Sequence, residues 1–227
     1  MKGIAYGVGV GPGDPEYMTL KAVRLIREND VIAVAGRVAE DAVAYKIAAA
    51  VVPEIKDKEL LPIYMPMVKD RALIDQEHRR QAKLIESYLD QGRNVVYITL
   101  GDVTVYCTFS YLQHYLEADG YTVELISGIP SFCAAAARLN TPLTEWDEPL
   151  HILPGVHDLE NSMSLEGTYI VMKSASKMAQ VKDMLRRSGR AVVMAENCTM
   201  ANEKLYRSVD EIPDDAGYFS LIIAKEP

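Results

Sequence analysis

Gly3–Pro15, read as GIAYGVGVGPGDP, decides the fold class. Gly3–Val10 has the apolar, small and β-branched character of a buried strand, and it runs straight into a glycine- and proline-rich loop. Behind the loop, Thr19 suits a helix N-cap, and Leu20, Val23 and Ile26 recur at helical spacing until Asn29-Asp30. Val31–Ala35 (VIAVA) follows as a second strand. The same alternation continues along the chain. Asp70–Gln91 carries the longest helical period, with Ile74, His78, Gln81 and Ile85 on one face and Gly92 placed to stop it. Asn94–Leu100 is a strand, Tyr111–Ala118 a helix, Tyr121–Ile126 a strand and Ser131–Leu139 a helix of small residues. Strands at His151–Leu153, Thr168–Met172, Ala191–Ala195 and Tyr218–Ala224, with a helix at Lys177–Arg187, complete the reading. The expected class is α/β in two sub-domains, residues 1–117 and 118–227, with no Ser/Gly-rich linker between them.

Composition narrows the function. The chain has 227 residues, 24 Lys plus Arg against 32 Asp plus Glu, and a formal net charge of −8. Such a chain repels phosphate backbones at long range, so no nucleic-acid partner is expected. No apolar run approaches the ~20 residues that span a bilayer, and Asp14 and Glu16 fall where a signal peptide would still be apolar. The expectation is therefore a cytoplasmic protein with no membrane partner. Cys107, Cys133 and Cys198 are odd in number and far apart, which fits neither a disulfide framework nor a zinc site. His78, His114, His151 and His157 show no ligand spacing, and no resident metal is expected.

Four segments end strands with glycine or polar residues. The first, Gly7–Pro15, is not a dinucleotide fingerprint: GxGxxG counted from Gly7 requires glycine where Pro12 stands, and counted from Gly9 where Asp14 stands. Nor does a Lys-Ser/Thr pair follow to make a phosphate loop. A glycine turn alone would be a tight strand-to-helix connection, but four glycines and two prolines within nine residues exceed what a turn requires and suggest backbone held close to something flat or bulky. The second, Thr99–Tyr106 (TLGDVTVY), offers Asp102 either as an acceptor for a ligand amine or hydroxyl, or as a cap acting through Thr104. The third, Ile126–Leu139, starts a helix after Gly128 and Pro130. The fourth, Met194–Met200, carries Glu196 and Asn197. In an open α/β sheet, ligands bind beyond the carboxyl ends of strands, so these segments together point to a ligand crevice.

The motifs VGVGPGDPEYMTLKA, TLGD-x-TVY, SGI-x-SF-x-AAAARL-x-TPL, ENCTM and the closing YFSLIIA run in one order across nearly the whole chain. In these the sequence resembles the tetrapyrrole (precorrin/corrin) methyltransferases. YMPM (residues 64–67) with KDR behind it, TLGD with Tyr106, and EPLHILPG (Glu148–Gly155) are most similar to the members that methylate C-20 of precorrin-2 or cobalt-factor II. The resemblance implies S-adenosyl-L-methionine as cofactor, lying between two α/β sub-domains, a tetrapyrrole substrate and a homodimer. Carried over by position, the implied cofactor contacts are Pro12, Leu100, Gly101, Asp102, Val103, Val105, Pro130, Ser131, Phe132, Met172, Cys198 and Leu221. The family often has Pro-Gly at Ser127-Gly128 and Pro at Val103. Some members carry an acidic residue after the second strand, where this chain reads Ala35-Gly36-Arg37, so no general base is nominated. The implied substrate bears several acetate and propionate groups, and a chain of net charge −8 needs local cations to hold it. Arg37, Arg71, Arg79 and Arg80 are the candidates, with Tyr64 and Tyr106 to orient the ring. Lys69, His78 and Lys83 lie among them, and so do Asp70, Asp75 and Glu77, as they would on a solvated helix face.

Overall fold

Five strands form a wholly parallel sheet in the first part of the chain: β1 (Ile4–Gly9), β2 (Val31–Ala35), β3 (Glu59–Ile63), β4 (Val95–Thr99) and β5 (Thr122–Ile126), in the order β3-β2-β4-β1-β5. The structure is a computed structural model and describes residues 1–66, 68, 70–155 and 163–226. Four helices connect the strands: α1 (Leu20–Glu28), α2 (Val43–Val51), α3 (Arg71–Leu89) and α4 (Phe109–Ala118). Because both faces of a parallel sheet must be covered, its strands read as continuous apolar runs. One core joins Ile26 of α1 and Ile47 and Ala48 of α2 to Val8, Ile32, Val96 and Ile98. The other joins Ile85 and Leu89 of α3 and Leu112 and Leu116 of α4 to Ala5, Val31, Ala33, Val95 and Tyr97. Successive strand residues therefore alternate between the two helical layers.

Local chemistry sets the helix ends. The Thr19 hydroxyl accepts from Ala22 N (3.2 Å), and Asn29 closes α1 by donating from Nδ2 to the Leu25 carbonyl (2.8 Å). Asp70 Oδ1 accepts from Ala72 N (3.0 Å) and Leu73 N (3.2 Å) at the start of α3. Each such cap stabilises a helix by about 1 kcal/mol.

The remainder of the chain builds a mixed sheet, in the order β6-β7-β10-β8-β9, from β6 (Leu150–Pro154), β7 (Thr168–Met172), β8 (Ala191–Glu196), β9 (Lys204–Tyr206) and β10 (Ser220–Lys225). β6 and β7 are parallel and the other pairs antiparallel. The small residues of α5 (Ser131–Leu139) let it lie close against β8 and β10. Met178, Val181 and Leu185 of α6 (Met178–Ser188) pack with Tyr169, Val171, Met194 and Ile222.

The chain divides into units Met1–Pro130 and Ser131–Pro227. The expected boundary at 117/118 is thus displaced, because β5 pairs with β1 along Ile4–Val8 and belongs to the first sheet. Among the described residues, no helix is long and apolar enough to cross a membrane.

Candidate functional site

Parallel pairing places the carboxyl ends of β1 to β5 along one edge of the first sheet. The segment after β1 leads to α1 on one face, and the segment after the adjacent β4 leads to α4 on the other. Connections that part in this way open a crevice at the strand ends, here between β1 and β4.

The glycines of the crevice draw three chain segments together. Gly11 N donates to Gly101 O (3.2 Å) and Gly101 N donates to Gly11 O (2.7 Å), tying the loop after β1 to the loop after β4. A Cβ on Gly9 would lie 2.5 Å from Gly101 O and 2.8 Å from Gly128 N, and one on Gly128 would lie 2.3 Å from Gly101 O. Backbone atoms cannot turn aside as side chains do, so only glycine fits at these two positions. The first motif is therefore glycine-rich because strand-end backbones touch one another, which accounts for spacing that matches no phosphate loop.

Asp102 fastens the same three-way contact. Its Oδ2 accepts from Gly128 N (2.8 Å) and from the Ser127 hydroxyl, and its Oδ1 accepts from Thr104 N (2.7 Å) and from the Thr104 hydroxyl. The side chain is 5% exposed. Burial alone would raise its pKa, but the bonds from Ser127, Thr104 and Gly128 outweigh that and hold the carboxyl below its ordinary value. Four donors occupy both oxygens, so Asp102 joins the loop after β4 to the loop after β5. The cap through Thr104 is real but is only half of its work. Ser127 and Gly128 escaped the sequence reading as its partners. The available signal was a hydroxyl and a glycine in place of the more usual Pro-Gly.

The other positions in these loops differ in what they expose. The Val103 side chain is turned into the core with Phe109 and Cys107. Leu100 is partly buried against the opposite core, Pro12 is buried, Val105 and Pro130 are half-buried, and Tyr106 is exposed with φ +48°. Residues 7–19, 99–106 and 126–132 contain Asp14, Glu16 and Asp102 but no Lys or Arg. That donor set suits a cofactor bearing positive charge and disfavours a phosphate-bearing nucleotide.

Two basic candidates stand beyond the other strand ends, and two do not. Gly36 N donates to Ile63 O (3.0 Å), bringing the exits of β2 and β3 side by side. There the Arg37 guanidinium lies over the Tyr64 ring, 5.3 Å from its centre. Arg71, exposed, begins α3 at this same edge. Arg79 instead pairs with Asp119 (3.0 Å) just past the end of α4, toward the opposite edge of the sheet, and Lys83 joins the same carboxylate (2.8 Å). Arg80 pairs with Glu77 (2.9 Å) along its own helix. Arg79 and Arg80 thus stand in ion pairs of the fold, with carboxylates of α4's end and of α3 itself. Lys69 lies outside the described residues.

In the second unit, Leu221 of β10 is the register partner of Met172 on one side and of Ala195 on the other. Cys198 follows β8, is buried, and has its thiol pushed up to about 12, first by burial and then by Glu203. It is no thiolate nucleophile at neutral pH. Asn197 and Thr199 hold positive φ (50° and 64°), with Asn197 N donating to Phe219 O (3.1 Å) and Thr199 N to Glu203 Oε1 (2.7 Å). Arg138 of α5 braces Glu203 through Nε and Nη2 (2.6 Å for the shortest contact). Ser131 is half-buried and Phe132 buried at the start of α5, which packs on β8 and β10.

Three histidines are engaged in the fold. His78 is buried and stacked on Tyr111 (4.7 Å), His114 Nδ1 contacts Ser110 O (2.6 Å), and His151 Nε2 contacts Glu166 O (2.9 Å). His157 lies outside the described residues. Among the described residues, no group of three or more His, Cys, Asp or Glu is placed to hold a metal ion.

Residues 5–212 match the sequence profile of the Tetrapyrrole (Corrin/Porphyrin) Methylases. The chain belongs to that family. A probable cobalt-precorrin-2 C(20)-methyltransferase of Methanocaldococcus jannaschii is 36% identical over 224 residues, which is 97% of this chain and 95% of the relative. The cobalt-precorrin-2 C(20)-methyltransferase of Salmonella typhimurium is 26% identical, over 100% of this chain and 98% of its own. Among solved structures, a cobalt precorrin-4 methyltransferase shares the fold at TM-score 0.76 and 21% identity, covering 98% of this chain and 94% of its own. The uroporphyrin-III C-methyltransferase of Thermus thermophilus, solved with S-adenosylhomocysteine, shares it at TM-score 0.73 and 23% identity, covering 99% and 98%.

Proposed function

We propose that this chain transfers a methyl group from S-adenosyl-L-methionine to C-20 of precorrin-2 or of its cobalt form, in cobalamin biosynthesis. The observation that carries the reading is the 36% identity to a C(20)-methyltransferase across 97% of the chain, together with strand-end loops of the kind the reaction needs. The cofactor, when bound, supplies a methyl group on a positively charged sulfur.

The chain's own part is binding and alignment. A direct displacement needs the acceptor carbon in line with the methyl group and water kept away, and it needs no strong base when the carbon is electron-rich. Asp102 holds the loop Leu100–Val105 in a single shape, so backbone groups of Leu100, Gly101, Val103 and Val105 are set before the cofactor arrives. Pro12 and Pro130 are proposed to add apolar and backbone contacts, and so are Ser131, Phe132, Met172, Cys198 and Leu221. The absence of Lys and Arg from residues 7–19, 99–106 and 126–132 favours a sulfonium over a phosphate. Arg37, Arg71, Tyr64 and Tyr106 are the substrate-side candidates. We also propose a cytoplasmic homodimer with no nucleic-acid partner. Light scattering should then give about twice the chain mass of 25.2 kDa.

Incubation with methyl-labelled cofactor and a panel of tetrapyrroles tests the activity. Label entering precorrin-2 or its cobalt form supports the reading. Label entering only uroporphyrinogen III or a later precorrin assigns a different member of the same family.

A further inference from the structure

Gly36, Arg37, Pro62 and Tyr64 line an open pocket of about 440 Å³ beyond the ends of β2 and β3. Register explains how they meet: Val34 pairs with Pro62 and Ala35 with Ile63, so the next residues of both strands leave the sheet together. β3 is an edge strand, where a proline costs no ladder bond on its open side. Gly36 has φ +153°, and a Cβ there would press on Val38 O at 3.3 Å, so the chain turns at that residue to deliver Arg37.

Ion pairing separates most arginines of the first unit from Arg37. Arg24, Arg27, Arg79, Arg80 and Arg93 each pair with a carboxylate of the fold. Among the described residues, Arg37 has no carboxylate within ion-pair distance, and its contact is the face of Tyr64. A guanidinium laid on an aromatic ring keeps its planar fork of donors free at the edge and has already lost much of its rotational freedom.

We propose that this pocket is the subsite for one carboxylate-bearing arm of the substrate, with Arg37 as its two-pronged partner and Tyr64 as the plate that orients the guanidinium. The inference rests on the tetrapyrrole reading above and adds to it where the ring is gripped. In an order of β3-β2-β4-β1-β5 the Arg37 side of the subsite follows β2, the neighbour of β4 at a strand spacing of about 5 Å, and the Tyr64 side follows β3, one strand further out. The acidic arm is thus held beside the glycine crevice, at the ends of β2 and β3, where the Arg37 guanidinium supplies the positive charge. A net charge of −8 opposes the substrate at long range, so the grip has to be local.

The test is fluorescence titration with uroporphyrin, a stable carboxylate-rich tetrapyrrole, alongside calorimetric titration with S-adenosylhomocysteine. Arg37→Gln should weaken uroporphyrin binding roughly tenfold, the range of one charge-assisted pair discounted for its exposure. Arg37→Lys should recover only part of that loss, because an ammonium lacks the fork. Tyr64→Ala should weaken binding several-fold, and Tyr64→Phe, which keeps the ring, should restore most of it. S-adenosylhomocysteine affinity should stay within twofold throughout, and Arg79→Gln should bind uroporphyrin like the native chain. Native-like uroporphyrin binding by Arg37→Gln overturns the subsite while leaving the function intact. No binding or methylation of any tetrapyrrole by the native chain overturns both.

Discussion

Replacing Asp102 by Ala distinguishes a loop fastener from a direct ligand contact. The substitution leaves two backbone donors, Gly128 N and Thr104 N, without the carboxylate oxygens that accept from them at 2.8 and 2.7 Å. The hydroxyls of Ser127 and Thr104 are on exposed residues and can turn to water. Each stranded donor costs about 1–3 kcal/mol, and Thr104 recovers part of its share from solvent, so the loss is about 2–4 kcal/mol. With a urea slope of about 2 kcal/mol/M, the unfolding midpoint should fall by about 1–2 M. Asp102→Asn should fare little better, because an amide presents donors to donors on one side. The sign of the pH effect follows from the lowered carboxyl. Its stabilisation is present above the unfolded value of about 3.9 and is lost as pH falls toward the lower folded one. That portion of the acid sensitivity should vanish in Asp102→Asn. Urea titrations followed by circular dichroism at neutral and acid pH, with calorimetric binding of S-adenosylhomocysteine, read all of this. An unchanged urea midpoint in Asp102→Ala with cofactor affinity abolished would refute the fastening role and make the carboxylate a ligand contact.

Gly128→Ala places a methyl group 2.3 Å from Gly101 O and should destabilise the first unit by at least about 3 kcal/mol, measured by urea unfolding. Gly120→Ala, with nothing within 4 Å and only its positive φ to strain it, should cost about 1–2 kcal/mol. The double change Arg79→Gln, Arg80→Gln should leave the Michaelis constant for tetrapyrrole within twofold and lower stability by no more than about 1 kcal/mol, since both arginines serve surface ion pairs. His78, buried on α3 and stacked on Tyr111 of α4, has its pKa lowered by burial against the opposing pull of Asp75. Its neutral form stabilises the fold above about pH 6.5, and that contribution is lost as pH falls from there toward the lower folded value. His78→Phe should therefore flatten the stability change between pH 7.5 and 5.5, and an equal change in both proteins would rule His78 out as its source.

The α/β class, the order of most elements and the strand-end loops were legible in the sequence because those elements carry strong local signals. β2, β7 and α5 fall at the expected residues: Val31–Ala35, Thr168–Met172 and Ser131–Leu139. α2, β3 and β9 had no such signal. α2 lacks a side-chain cap at Ala42 and is buried on Ala44, Tyr45, Ile47 and Ala48, so its period is blurred by apolar residues. β3 contains Pro62, which argues against a strand until its place at the sheet edge is known. β9 is three residues long and is held by β8. For the site, the sequence singles out Asp102 but not the partners that hold it, since Ser127 and Gly128 reach it from 25 and 26 residues away. The same limit applies to the arginines. Clustering along one helix suggested a common role for Arg71, Arg79 and Arg80, whereas Asp119, 40 residues beyond Arg79, is what occupies it.

The most direct test of the central claim is the position of the transferred methyl group. Carbon-13 NMR of the product formed from methyl-labelled S-adenosyl-L-methionine and precorrin-2, or its cobalt form, locates the label. The account predicts a single labelled methyl at C-20 and one S-adenosylhomocysteine released for each methyl transferred. A labelled methyl at any other ring carbon, or transfer to uroporphyrinogen III with none to precorrin-2 in either form, would contradict it.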